Sequence, residues 1–169
     1  MGYTTEFTGQ FTLDKPLTQE HCAYLTRFAR IRHMRWMEDR VEHLSDPVRE
    51  AVGLAAGPEG MYLTNDLVME EGYGFHYPHN AAIIDYNDSP AGVPGLWLQW
   101  TPTEDGTAIE WDGGEKFYGY VAWLKFLLKH FLLPWGYILN GRVMWQGDDP
   151  DDHGTIIVEQ NMAVAQDLV

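Results

Sequence analysis

A cluster of acidic residues is the first feature of this chain that could do chemistry. Glu110, Asp112 and Glu115 lie close together in the sequence, and two carboxylates held side by side can serve as general acid and general base in a hydrolase. A simpler interpretation exists, because the end of a strand followed by a helix N-terminus also favours acidic residues. We therefore expect a structural role for this cluster, with an acid–base hydrolase as the alternative.

Metal ligation is the second possibility. His76 and His79 have the spacing His-x-x-His, with Asp85 a few residues downstream, and mixed histidine and carboxylate ligands suit zinc or iron. The pair lies in a stretch rich in glycine and proline, where such spacing arises readily by chance. The acidic loop at 148–152 lacks the spacing of a calcium-binding EF-hand. The sequence therefore predicts no metal and no cofactor, with a metal-dependent hydrolase as the alternative.

Tryptophan is the most unusual component of the chain. Six of the seven tryptophans fall within residues 95–147. Exposed rings there could stack on a base or a sugar, or anchor a protein partner, although we expect core packing to account for at least four of the seven. The predicted ligand-binding residues combine rings with nearby polar side chains. They are Trp97, Gln99, Glu110, Trp111, Lys116, Asn140, Arg142 and Trp145.

Common catalytic motifs are missing from the sequence. It contains no Walker loop, no dinucleotide-binding fingerprint, no Gly-x-Ser-x-Gly and no deaminase signature. Cys22 is the single cysteine, and no histidine and acid accompany it in a motif, which argues against a thiol nucleophile. The prediction therefore leans against an enzyme.

Charge and composition restrict the partner and the compartment. The 169 residues carry a formal net charge of −14, which disfavours binding to nucleic acid because a phosphate backbone is held by lysine and arginine. A single cysteine fits a reducing compartment, the N-terminus is polar rather than a signal peptide, and no apolar run is long enough to cross a bilayer. We expect a cytoplasmic protein that binds a protein partner or a small ligand.

Hydrophobic periodicity indicates the elements that would position these residues. Residues 3–13 alternate between apolar and polar, as a half-buried strand does, and Thr18 is placed to cap a following helix. Residues 37–94 are irregular and rich in glycine and proline, which indicates an insertion. The remaining predicted elements are strands at 95–100, 108–111, 136–145 and 155–159, a hairpin turn at Asp105-Gly106, and a helix at 115–133.

The order of these elements predicts an α+β fold. It corresponds to a ferredoxin-like βαββαβ core with one added strand, in which two helices back an antiparallel sheet within a single domain of residues 1–169. The other face of the sheet would carry alternating side chains, including Trp97, Glu110 and Arg142. A register shift of one residue would exchange the two faces, so this assignment depends on the strand pairing.

The second half of the chain contains several distinctive motifs. They are Gly-Leu-Trp-Leu-Gln-Trp-Thr-Pro at 95–102, Glu-Trp-Asp-Gly-Gly-Glu-Lys-Phe-Tyr at 110–118, and Trp-Gly-Tyr, Leu-Asn-Gly and Trp-Gln-Gly further along the chain. With these motifs the chain resembles a group of small bacterial and phage proteins that have no established activity. The resemblance supplies no catalytic residues. What it implies is a phage or mobile-element context.

The function predicted from the sequence is that of a non-enzymatic binding protein. It would act through an aromatic-lined surface, as an accessory or host-modulating factor of a phage or mobile element. Two alternatives stay open. One is the metal-dependent or acid–base hydrolase, and the other is a protein that sequesters a nucleotide, with tryptophan stacked on the base and Lys116 or Arg142 on the phosphate.

Overall fold

The computed structural model describes residues 2–41, 44–64 and 82–167. The strands are β1 (Thr5–Leu13), β2 (Arg35–Trp36), β3 (Ile83–Asp85), β4 (Trp100–Pro102), β5 (Ala108–Trp111), β6 (Leu139–Gly147), β7 (His153–Glu159) and β8 (Met162–Asp167). The helices are α1 (Gln19–Phe28), α2 (Glu38–Val41), α3 (Pro47–Ala51) and α4 (Tyr120–Leu127), with a 3-10 turn at Pro58–Gly60 and a π-helical turn at Leu128–Leu132. The predicted α+β class is confirmed.

Six of the strands form one antiparallel sheet in the order β4-β5-β1-β6-β7-β8. The sequence predicted five strands, and the sheet contains a sixth, β8, in the tail that follows them. The sixth strand forms because the chain reverses at Gln160 and Asn161, where φ is 47° and 67°. Positive φ at both positions is the geometry of a tight hairpin turn, but Gln-Asn is a weak sequence signal for it.

Strand β1 lies inside the sheet and pairs on both sides. It runs against β6 from Thr5 opposite Gly147 to Leu13 opposite Leu139, and against β5 through three residue pairs. Its odd-numbered side chains, such as Phe7 and Phe11, are buried, whereas the even-numbered ones are exposed. The alternation predicted for residues 3–13 is confirmed, and it divides the sheet into a face that packs on the helices and an open face.

Strand β6 is continuous through Asn140 and Gly141, so this pair is not a turn. Gly141 has φ 144°, and a Cβ built on it would lie 3.0 Å from the Gln10 carbonyl oxygen and 3.0 Å from the Phe11 Cα. Glycine is required here because β1 and β6 approach each other closely and the backbone conformation disfavours other residues. The close approach keeps the two strands in register.

Rings from both halves of the chain fill the core between the sheet and the helices. The ring centroid of Phe7 lies 5.2 Å from Trp100 and 5.8 Å from Phe117, in edge-to-face arrangements. Such pairs are favoured by the aromatic quadrupole in addition to the burial of area. Four tryptophans are buried, as predicted, and they are Trp36, Trp100, Trp123 and Trp145.

Several predicted element boundaries differ from the structure, and two of them concern segments that line the cavity described below. The strand expected at 95–100 joins the ladder only at Trp100, because the Leu96 carbonyl accepts a hydrogen bond from the His33 backbone N–H instead. The helix expected at 115–133 begins at Tyr120. Lys116 and Gly119 have φ 58° and 68°, a left-handed conformation that cannot continue a helix.

The segment between α1 and β4, which includes the predicted insertion, carries short elements and a small apolar cluster of its own. β2 and β3 form a two-stranded sheet, and Met34, Trp36, Val41 and Leu63 pack together. The Tyr24 hydroxyl of α1 donates to the Tyr62 carbonyl at 2.9 Å, which attaches the insertion to the main core.

A buried ion pair stabilises the insertion. The Asp46 carboxylate accepts hydrogen bonds from Arg49 Nε at 3.2 Å and from the Thr64 backbone N–H at 2.7 Å, and also from the Thr64 hydroxyl. Arg49 donates a further bond to the Leu54 carbonyl at 2.6 Å. Both charged side chains are almost fully buried. Each therefore needs the opposite charge of the other to offset its loss of hydration.

Within residues 2–41, 44–64 and 82–167, no helix has the length and apolarity needed to cross a membrane. The helices described there are short, and the apolar residues of α4 face the core.

Replacing Asp46 by alanine is expected to lower the free energy of unfolding by about 3–5 kcal/mol, because the Arg49 guanidinium would stay buried without its counter-charge. Urea denaturation followed by tryptophan fluorescence measures the change. Glu50→Ala, at an exposed position of α3, is the control and should change stability by about 0.5 kcal/mol or less. Equal stability of the two variants would contradict the assigned role of Asp46.

Candidate functional site

The Trp97 cleft is a surface cavity of about 490 Å³. Three chain segments form it: the loop after β3, the segment that leads into β4, and the segment that leads into α4. Its lining residues are Asn87, Asp88, Ser89, Pro94, Gly95, Leu96, Trp97, Lys116 and Tyr118. Two predicted binding residues, Trp97 and Lys116, therefore share one cavity.

Trp97 presents its ring to this cleft. The side chain is 41% exposed, which is unusual for tryptophan, whereas its neighbour Leu98 is buried. The guanidinium carbon of Arg32 lies over the indole at 5.8 Å from the ring centroid, within range of a cation–π interaction. One side of the ring is thus supported by the protein while much of its surface stays accessible.

Arg32 is itself held in place by three interactions. Its guanidinium lies 4.1 Å from the Tyr86 ring centroid, Nε donates to the Tyr86 carbonyl at 2.9 Å, and Nη2 donates to Asn87 Oδ1 at 3.0 Å. A guanidinium with fixed donors loses little further entropy when a ligand binds beside it. The support behind Trp97 is therefore pre-organised.

The segment carrying Trp97 rests on two buried side chains. The backbone N–H of His33 donates to the Leu96 carbonyl at 2.8 Å. A Cβ built on Gly95 would lie 3.7 Å from Nε1 of the buried Trp123, and this indole N–H is a buried donor without a partner among the described residues. The wall of the cleft is therefore backed by the core.

Lys116 and Tyr118 form the opposite part of the lining. Among the described residues, the Lys116 ammonium has neither a hydrogen-bond nor an ion-pair partner. Tyr118 is 58% exposed, and its hydroxyl oxygen accepts a hydrogen bond from the Tyr3 backbone N–H at 3.2 Å. A hydroxyl that accepts one bond can still donate its proton. Both polar groups can therefore contact a bound molecule.

Asp88 supplies the negative charge of the lining. Its Oδ1 accepts the Ser89 backbone N–H at 3.0 Å, and its Oδ2 lies 3.8 Å from Arg35 Nη1. Arg35 binds Glu59 more closely, with Nη2 at 2.8 Å from Oε2, and this pairing lowers the pKa of the Glu59 carboxyl. Asp88 is thus only partly neutralised.

The predicted residues Glu110 and Arg142 lie on the open face of the sheet, away from the Trp97 cleft. Strand register places both opposite Gln10 of β1, so they belong to one cross-strand row. Asn140 lies on the same face, where its Oδ1 accepts the Gln160 backbone N–H at 2.9 Å.

The other three predicted binding residues make internal contacts. Trp111 Nε1 donates to Gln99 Oε1 at 3.0 Å, and Gln99 Nε2 donates to the Glu115 carbonyl at 2.7 Å. Trp145 is buried and donates to Asp152 Oδ1 at 3.0 Å. Trp111 and Trp145 lie on the helix-packed face because they share the parity of buried neighbours along β5 and β6.

The acid–base candidates have local roles. Asp112 Oδ1 accepts the Gly114 backbone N–H at 2.8 Å, and partial burial raises the pKa of the Asp112 carboxyl. Glu115 is exposed. Among the described residues, no hydrogen bond or ion pair joins Asp112 or Glu115 to Glu110.

The metal candidates lie only partly within the described chain. His76 and His79 fall outside the described residues. Asp85 lies in β3, and its Oδ1 accepts the Asn87 backbone N–H at 2.8 Å. In the part of the chain that the structure describes, no group of three histidine, cysteine or acidic side chains is placed to hold a metal ion.

The acidic loop at 148–152 anchors the N-terminal segment. Asp148 Oδ2 accepts the Thr4 backbone N–H at 2.8 Å. Asp152 Oδ2 accepts the Tyr3 hydroxyl at 2.6 Å, and this bond, together with the one from Trp145, lowers the pKa of the Asp152 carboxyl. The carboxylates that resembled calcium ligands in sequence are thus engaged by N–H and O–H donors.

A larger cleft of about 580 Å³ lies between α1, α3 and the β4–β5 turn. Its lining includes Cys22, Arg27, Arg30, Glu104 and Asp105 and no aromatic ring. Small-molecule sites are mostly apolar or aromatic with a few polar groups. We take the Trp97 cleft as the candidate site because it contains exposed aromatic rings, which the larger cleft lacks.

Comparison with family models, with curated proteins and with solved structures gives no match for this chain. The candidate site therefore rests on geometry and chemistry. Sequence reasoning did not select Arg32, Tyr86 or Tyr118 as lining or supporting residues. Their proximity to Trp97 arises from loops that are distant in sequence, so no local pattern signals it.

Stability is expected to fall in acid because of His33, which backs the cleft. Burial lowers the pKa of His33 to about 4, below its ordinary value of about 6.5. The folded state therefore binds the proton less readily than the unfolded state. Neutral His33 makes its full contribution to the free energy of unfolding above about pH 6.5, and this contribution is lost as the pH falls towards 4. The free energy of unfolding should fall by about 3 kcal/mol over this pH range.

Urea denaturation at several pH values measures this dependence. His33→Phe should be less stable near neutral pH, because the Phe28 carbonyl loses its 2.8 Å bond from Nε2, and should show a shallower decline in acid. His153→Gln, on the open face of the sheet, should keep the parental slope. If the stability of His33→Phe declined in acid as steeply as that of the parent protein, the assignment of the pH dependence to His33 would be wrong.

Proposed function

We propose that this protein is a non-enzymatic binding protein and that the Trp97 cleft is its ligand site. The observation that carries the proposal is an exposed indole backed by a fixed guanidinium, with the Lys116 ammonium in the same cavity and without a partner among the described residues. Proteins normally cover a tryptophan ring, because its apolar area stabilises the fold when buried. A ring left open beside polar donors therefore supports a role in recognition.

The size and rigidity of the cavity favour a small ligand. Its volume of about 490 Å³ falls within the range of about 300–1,000 Å³ that is common for small-molecule sites. Arg32 and Leu96 are held by hydrogen bonds that already exist without a ligand. Binding then costs less ordering entropy than it would in a flexible loop.

The charge distribution favours an anionic ligand. The chain carries 11 lysine and arginine residues against 25 acidic ones, so the average field of the surface repels anions. Two cations nevertheless lie near Trp97, because Arg32 lies over its ring and Lys116 lines the same cavity. A local positive site on an acidic protein offers selectivity, because anions gain affinity only where the cations converge.

A nucleotide-sequestering function is the second candidate. Trp97 and Lys116, the pair expected to hold base and phosphate, line the same cavity. Arg142 does not belong to this cavity, since it lies on the open sheet face. The hydrolase alternative lacks comparable support, because Asp112 is engaged by Gly114. The phage or mobile-element context rests on the sequence resemblance alone.

We also propose that the central part of the fold is a ferredoxin-like βαββαβ core. Its units would be β1, α1, β4, β5, α4 and β6, with the insertion between α1 and β4 and with β7 and β8 extending one edge. The antiparallel order β4-β5-β1-β6 supports this, because it is the order that two interleaved βαβ units produce.

Replacing Trp97 by leucine is expected to weaken small-molecule binding at the cleft by about tenfold or more, because stacking on an aromatic ring contributes about 1–3 kcal/mol. Ligand-observed NMR with a mixture of aromatic and aliphatic fragments measures binding. Leu133→Ala is the control, since Leu133 is also an exposed apolar side chain, at 62% exposure, but lies beyond α4.

Two results would count against the proposed function. One is a set of fragments that binds the parent and the Trp97→Leu variant equally well. The other is turnover of nucleotides, sugars or esters that is lost in Glu110→Gln, which would favour the acid–base enzyme.

A further inference from the structure

We propose that the Trp97 cleft selects a planar aromatic molecule that carries a single anionic group. The ring would stack on Trp97, and the anion would lie at Lys116. This inference rests on the proposed function and adds the chemical class of the ligand. Two sources share this chemistry, namely aromatic carboxylates and the phosphate monoesters of nucleosides, and the experiment below distinguishes them.

The expectation that the ligand stacks on Trp97 follows from the surroundings of the indole ring. Arg32 lies over the ring at 5.8 Å, and the ring remains 41% exposed. A planar ligand that stacks on the accessible surface would extend the series formed by Tyr86, Arg32 and Trp97, in which each member contacts the next. The nearby cation makes stacking on electron-rich or neutral rings more favourable.

The anionic part follows from Lys116. Its ammonium has no partner in the part of the chain that the structure describes, and its backbone adopts a left-handed conformation, φ 58°. This conformation is disfavoured for a residue other than glycine or asparagine. A strained position that carries an unpaired charge beside a cavity is typical of functional residues. Tyr118 adds a hydroxyl donor next to it.

The limit to a single anion follows from Asp88. This carboxylate lines the same cavity and its side chain is 61% exposed. The nearest cation, Arg35, is 3.8 Å away and binds Glu59 more closely, so Asp88 retains negative charge. A second or third phosphate on a ligand would therefore meet repulsion, whereas a hydroxyl or amino group could donate to Asp88.

Isothermal titration of the full chain tests this class with matched probes. Indole-3-acetate and adenosine monophosphate carry a ring and one anionic group, indole-3-acetamide and adenosine are their neutral counterparts, and adenosine triphosphate adds charge. We expect the neutral probes to bind at least about tenfold more weakly, because one charge-assisted contact is lost. We expect the triphosphate to bind more weakly than the monophosphate.

Variants assign each effect to its residue. Lys116→Gln should remove the advantage of the anionic over the neutral probe, and Lys129→Gln, an exposed lysine beyond α4, should leave it unchanged. Asp88→Asn should raise the affinity for the triphosphate relative to the monophosphate. Circular dichroism of each variant checks that the fold is retained.

The possible outcomes separate this inference from the proposed function. Binding of indole-3-acetate alone identifies an aromatic carboxylate as the ligand, and binding of the monophosphate identifies a nucleotide. Equal binding of anionic and neutral probes, or tighter binding of the triphosphate, overturns the ligand class. If the fragments of the preceding experiment bind at Trp97 while none of these probes does, the class is wrong but the binding function stands.

Discussion

The antiparallel pairing of β1 with β6 is the constraint on which the rest of the structure depends. It runs without interruption from Thr5 to Leu13, and it fixes which side chains of both strands face the helices. Because Phe7, Phe11 and Trp145 then share one side, the aromatic core can close over them. A shift of one residue would exchange these rings for Glu6, Gln10 and Arg142.

The Trp97 cleft forms where two irregular segments lead into β4 and α4. Residues 95–97 approach β4 outside the ladder, since Leu96 bonds to His33, and residues 116–118 approach α4 before the helix begins at Tyr120. Both segments are irregular, yet each is attached to buried structure. Loops held on a rigid scaffold are where binding groups commonly lie, and this pair brings an indole and an ammonium to one cavity.

The Lys116 ammonium distinguishes the cleft from the rest of the acidic surface. The protein is strongly acidic overall, and many of its carboxylates have internal partners, as Asp46 does with Arg49 and Asp152 with Tyr3. Lys116 differs because its ammonium has no such partner among the described residues. It shares the cavity with Trp97, whose ring lies under Arg32, and a single cation of this kind suits a small anion better than an extended polyanion.

The sequence by itself determined the periodicity of β1, the Thr18 cap of α1 and the hairpin between β4 and β5, because each depends on neighbouring residues. Only the tertiary structure decided the environment of each tryptophan. Trp97 and Trp145 both lie in strand-like sequence, yet one lines a cleft and the other is buried. Periodicity tells which residues share a face, whereas pairing between distant segments decides which face is covered and where the ladder ends.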